Sequence, residues 1–138
     1  LVSRTNFGYP KRTASGFDLN RLNLLIAVLE RRTKLKLSES DIFINVVGGL
    51  KLQDSAADLA VCMAIASACA KRKLNEKYVV FGEVGLGGEI RSAFRPDQRI
   101  NEAKKLGFTR AIAPATVKDP FVLPVKDLRN TLIKYMEK

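Results

Sequence analysis

Leu22, Leu25, Ile26 and Leu29 recur at i, i+3, i+4 and i+7, the spacing of one helix face. Asp18 stands just ahead of them as an N-cap, so the pattern predicts a helix over 19–34, with Asn20, Ala27 and Arg31 on its other side. An apolar run at 42–47 predicts a buried strand broken by Gly48-Gly49. Residues 54–70 then predict a second helix. Its stretch 59–70 is small or apolar on every side, so that helix is expected at the centre of the fold. A strand at 78–81 and a hairpin at 83–91 follow, the hairpin glycines supplying positive φ. Pro96 opens a third helix with Ile100, Ala103 and Leu106 facing inward and Gly107 as its C′ residue. A strand at 108–113 stops at Pro114, and Val125, Leu128, Leu132 and Met136 predict a final helix from 126. Strands and helices alternate with at least one hairpin, which predicts an α+β fold: a mixed sheet with helices packed on it.

Length and composition bound this picture. The 138 residues, 46% hydrophobic and 28% charged, fit a single domain over 1–138 with a core of its own. No apolar run reaches the ~18 residues that span a bilayer, and no signal-peptide pattern is present, so a cytoplasmic protein without a membrane partner is expected. The chain opens at Leu1 inside what reads as a strand, without an initiator Met, and is read as a domain excised from a longer chain. Histidine is absent, which excludes a Ser-His-Asp triad and any His-containing metal site. Cys62 and Cys69 lie seven apart on a predicted helix, roughly 10 Å between Cα atoms at helical rise, beyond disulfide reach. They read as small packing residues.

Charge adds a function class. Lys and Arg number 24 against 14 acidic residues, a net charge of +10, which favours a polyanionic partner over mere solubility. Four groups are candidates for phosphate contact: Lys11 with Arg12, Arg31 with Arg32, Lys71 with Arg72 and Lys73, and Arg110. Two of these end predicted helices, where cations also complement the helix dipole. Residues 4–16 are polar and turn-rich, and read either as a solvated loop or as a basic arm with Phe7 and Tyr9 beside it. No base-reading motif occurs, so binding independent of sequence is expected.

The pieces TASGFD (13–18), NRL (20–22), NVVGGLKL (45–52), SAADLAV (55–61), VVFGEVGLGGEIR (79–91) and AKKLGFTRAIAP (103–114) stand in order over nearly the whole chain. Together they resemble the C-terminal Lon-protease-like domain of the bacterial RadA (Sms) family. That resemblance implies the Lon-type proteolytic-domain fold, of the ribosomal-S5-domain-2-like kind. It also implies an upstream RecA-like ATPase, a hexameric ring, single-stranded or branched DNA as partner, the recombinase RecA as a further partner, and branch migration by the full-length ring. ATP, magnesium and zinc would belong to the upstream regions. This chain has neither GxxxxGK[ST] nor CxxC and is expected to hold no cofactor or metal. The rival expectation is a pure assembly module, with Phe94, Phe121 and Leu123 as candidates for an apolar protomer edge.

Lon-type hydrolysis uses a Ser-Lys dyad, the serine in PSAG and the lysine in GGxKxK. Aligned through Ala-Asp-Leu, PSAG falls on residues 55–58. Its serine becomes Ala56 and its glycine becomes Asp58, while the lysine position falls on Asp97. The resemblance therefore implies a domain without peptidase activity. Ser55, one residue off, fits S-x-x-[DE] and reads as a helix N-cap; Lys51 could in principle serve it as a base, but a lysine base needs burial and Lys51 is read in a turn.

Overall fold

The computed structural model describes residues 1–6, 8–49 and 53–136. Phe7 of the basic-arm reading and Lys51 lie outside the described residues. In chain order the elements are β1 (Val2–Arg4), β2 (Arg12–Ser15), α1 (Leu19–Arg32), β3 (Ser40–Asn45), two 3-10 turns (Val47–Gly49 and Ser55–Ala57), α2 (Asp58–Ala70), β4 (Tyr78–Val80), β5 (Glu83–Val84), β6 (Ile90–Arg91), α3 (Pro96–Lys105), β7 (Arg110–Pro114), β8 (Val122–Val125) and α4 (Leu128–Tyr135). The fold is mixed α/β, as expected, but the strands form three small sheets in place of one. These are β1-β3-β2, β4-β7-β8 and the hairpin β5-β6. In the first sheet β1 is antiparallel and β2 parallel to β3. In the second every pair is parallel.

The α1 periodicity translates directly into packing. Leu22, Leu25, Ile26 and Leu29 are buried, and Asp18 accepts the Arg21 N–H as the N-cap. With α2, α4 and the inner side of β3 they form the larger apolar cluster. A second, smaller cluster gathers Phe81, Ile100, Ala111, Ala113 and Val122, where α3 covers the other face of the β4-β7-β8 sheet.

Four expectations need correction. Residues 12–15 form a strand where a loop or arm was predicted, because the sheet shelters one side of a polar sequence that carries no alternation of its own. Val125 belongs to β8 and not to the last helix, which begins after Asp127. Pro124 disguises that strand, yet β8 is a sheet edge, where a missing N–H is tolerated. Leu106 is 68% exposed, since the helix has ended and Gly107 (φ 91) turns the chain away. The closing bonds Gly107 N–H to Lys104 O (3.2 Å) and Phe108 N–H to Ala103 O (3.1 Å) make a Schellman cap. Finally, α2 is not buried all round: Ala64 and Ala68 are exposed and Ala60 half-buried, leaving one side of small residues open.

The hairpin forms as predicted, with a different use of its glycines. Only Gly88 (φ 83) supplies positive φ within the 85–89 turn. At Gly85 a Cβ would meet the Glu89 carboxylate folded over the turn, the end of a flexible side chain that would have to swing aside. No helix among the described residues is long and apolar enough to cross a membrane.

Candidate nucleic-acid interface

In a parallel sheet each helix delivers the chain back to the starting edge of the next strand, so basic helix ends collect along one edge. Here α2 ends before β4 and α3 ends before β7. Tyr78 lies opposite Arg110 in register, and the Thr109 N–H donates to the Lys77 carbonyl at 2.9 Å. The edge thus brings together Lys71, Arg72 and Lys73 behind α2, Lys77 ahead of β4, Lys104 and Lys105 closing α3, and Arg110 opening β7. All seven are exposed. None takes part in an ion pair seen among the described residues. Lys71, Arg72, Lys73 and Arg110 were legible beforehand. Lys77, Lys104 and Lys105 were missed, and their signal was topological: basic residues ending a helix or preceding a strand in successive α–β units.

Two members of this edge are partly engaged. Arg110 donates to the Pro120 carbonyl at 2.9 Å, and the Lys104 ammonium lies 5.4 Å from the Phe121 ring centre. Lys71 sits in the left-handed region (φ 54), turning the chain out of α2.

The other basic groups lie at the starting edge of the β1-β3-β2 sheet. Arg12 pairs in register with Ile42 and Arg4 with Ser40. The Arg12 guanidinium donates to the carbonyls of Ser40 and Leu37 (2.9 Å to the latter), so it ties the 37–40 turn to β2 and is not a free cation. The Lys11 side chain stays exposed, while its backbone N–H donates to Asp41 at 2.7 Å. That bond, then one from Thr5, holds the Asp41 carboxyl below its usual range. Arg31 and Arg32 close α1 and are exposed, the Arg32 stem resting against Gly88. The four groups therefore fall into two clusters on two sheets.

The turn before α2 has a different chemistry. Ala56 is buried, and its N–H is capped by Asp54 at 2.9 Å. That bond, then the Arg99 ion pair, holds the Asp54 carboxyl below its usual range, so the contact persists at neutral pH and weakens only as pH falls through the carboxylate range. Ser55 is not the N-cap the sequence predicted. Its hydroxyl donates to Glu83 at 3.1 Å on the surface, and Asp54 caps the turn in its place. Asp58 does not complete a capping box either. It is 1% exposed, accepts the Val84 N–H at 3.1 Å, and is gripped by both Nε and a terminal nitrogen of Arg21. Asp97 is exposed in the first turn of α3. Its neighbours Gln98 and Arg99, not Asp97 itself, line the cleft that Ala56 also lines. Cys62 and Cys69 are free thiols, both pushed up by burial.

Comparison with known proteins places the chain. Residues 15–117 match the family described as subunit ChlI of Mg-chelatase. The chain is 49% identical over 114 residues to a DNA repair protein RadA of Halalkalibacterium halodurans, covering 83% of this chain and 25% of that protein. It is 47% identical over 124 residues to the Bacillus subtilis protein of that name, covering 90% of this chain and 27% of the other. Against the Haemophilus influenzae protein of that name it is 44% identical over 138 residues, covering 96% and 30%. The chain thus spans 25–30% of the length of these curated relatives.

Proposed function

Since this chain belongs to the ChlI-type family, in the Lon-like form found in DNA repair proteins RadA, we propose that it serves as a non-catalytic, DNA-contacting domain of a RadA-type ring. One observation supports the DNA contact above others: the run of exposed cations along the starting edge of β4-β7-β8, none in an ion pair among the described residues. Phosphates bind such an edge without reading bases, and the counterions released make affinity fall steeply with salt. The whole protein, on this reading, is a DNA-stimulated ATPase that migrates recombination branches in the cytoplasm with RecA as partner. Its ATP, magnesium and zinc sites lie outside this chain. The alternative of a pure assembly scaffold has less support, because Phe121 and Leu123 pack against the two apolar clusters and only Phe94 stands clear.

The DNA reading is tested by anisotropy of a fluorescein-labelled oligo-dT strand across a salt series. The triple change Lys71→Glu, Lys73→Glu, Lys77→Glu is expected to raise Kd at least about tenfold. It should also lower the slope of log K against log salt by about one per lost phosphate contact. Affinity and slope unchanged by the triple change would remove the assignment. Light scattering of the same samples reports whether the chain assembles by itself.

The chemistry of the turn supports the non-catalytic reading. Ser55 has a carboxylate beside it where a nucleophile needs a base of suitable pKa, and Ala56 has no hydroxyl. A fluorophosphonate probe is expected to leave the chain unlabelled; labelling lost on Ser55→Ala would show a nucleophile.

A further inference from the structure

A groove of about 640 Å³ runs between α2 and α3. Its position follows from the two apolar clusters. Tyr78 and Val80 of β4 pack toward the cluster containing α2, whereas Val79 and Phe81 pack toward the one containing Ile100 of α3. The two helices therefore cover opposite faces of the sheet, and the gap between them opens on the edge of β4. Three consecutive residues, Val79, Val80 and Phe81, line the groove, as an edge presents them and a sheet face would not.

Among the described residues β4 bonds only to β7 and that edge has no strand beside it, although the Tyr78 N–H is held by the Asn75 carbonyl at 3.2 Å. The Phe81 N–H donates to Ile112 at 3.1 Å, and the Lys77 carbonyl accepts from Thr109 at 2.9 Å. Strand alternation then turns the Val80 N–H and C=O away from β7, toward the groove. Beyond it, the Gly82 N–H is already held by the Ala56 carbonyl at 2.9 Å, which fixes where an added strand must stop.

The walls match a peptide. On the α2 side Ala57 and Ala60 are small enough for a backbone to approach closely. Exposed Phe94 (72%) and Leu106 (68%) mark the two ends of the α3 wall. Twelve residues of largely helical rise separate them by roughly 18 Å, the span of about five or six extended residues. Charge sets the polarity. Arg99 is neutralised by Asp54, but Arg95, over the Phe94 ring at 5.1 Å, has among the described residues only Gln98 as a polar side-chain partner. Arg95 also adopts φ 52, a backbone state rarely held by a non-glycine residue. Glu102 at the opposite end disfavours a second carboxylate there.

We propose that this groove binds an extended peptide segment of a partner protein, added as a strand on β4, with apolar side chains in the groove and an acidic group at Arg95. Main-chain hydrogen bonds supply affinity and the end charges set direction.

The probes are four fluorescein-labelled hexapeptides of alternating Val and Thr, with Asp or Lys at the first or last position. One Asp peptide is expected to bind with Kd on the order of micromolar. N-methylation of its central amide should weaken it about tenfold, the loss of one or two ladder hydrogen bonds. Ala60→Trp, which fills the groove, should abolish binding, and Arg95→Glu should shift preference from the Asp to the Lys peptide. Circular dichroism checks folding; if Ala60→Trp unfolds, the surface change Arg95→Glu decides. The proposal is overturned by no binding at millimolar peptide, by binding indifferent to N-methylation and to Arg95→Glu, or by self-association that Ala60→Trp abolishes while no peptide binds.

Discussion

Replacing Arg21 by methionine is expected to lower the unfolding free energy by about 3 kcal/mol, read as a lower urea midpoint at unchanged slope. Methionine keeps the apolar stem but strands the Asp58 carboxylate, which is 1% exposed and has lost its only cation among the described residues. The Arg21 side chain is 29% exposed, so water relieves part of the penalty and the low end of the range for broken buried pairs applies. Arg21→Lys retains the charge without the fork that grips both carboxylate oxygens, and is expected to fall between the two. Asp58→Leu combined with Arg21→Met removes both charges yet leaves the Val84 N–H without its acceptor. The double variant is therefore expected to stay below the parent by about 1–2 kcal/mol. An Arg21→Met variant as stable as the parent would mean that the pair merely decorates the α1–α2 junction.

The second large effect belongs to Leu59. It is fully buried in the first turn of α2, its N–H donates to the Gly82 carbonyl at 3.0 Å, and its side chain packs toward Gly82. Leu59→Ala is expected to cost about 3 kcal/mol, within the range measured for leucine truncation in cores, the cavity adding to the lost transfer energy. The surroundings include hydrogen-bonded turns on both sides, which restricts collapse into the space. Ala64→Leu on the exposed side of the same helix is the control and should change stability by less than about 0.5 kcal/mol. Similar losses at the two positions would contradict the assignment of buried and open sides.

Much of this architecture was legible because the apolar periodicity of α1 and the glycine punctuation of the hairpin each admit few alternatives. The illegible parts share a cause. The strands β2 and β8 have polar or proline-bearing sequences that pair only because a neighbour is already in place, and sequence windows contain no neighbours. Position 58 failed for a related reason. An acidic residue three positions after a serine looks like a cap, and only the arrival of Arg21 and Val84 from distant segments turns it inward. At the candidate interface, clusters contiguous in sequence were visible, whereas Lys77, Lys104 and Lys105 joined them only once the parallel topology was known. Arg12 carries the opposite lesson: an arginine in a basic run can be committed to backbone carbonyls and serve the fold.

Asp58 also bears on how the turn before α2 is held in place. Its carboxylate joins α1, α2 and β5 through three hydrogen bonds. A hydroxyl introduced at position 56 would enter a turn whose amide is already occupied by Asp54 and whose neighbouring helix is anchored from within. The ion pair acts as a rivet: α1, α2 and β5 arrive from distant parts of the chain, and none of the three can lift away without leaving a buried polar group unpartnered.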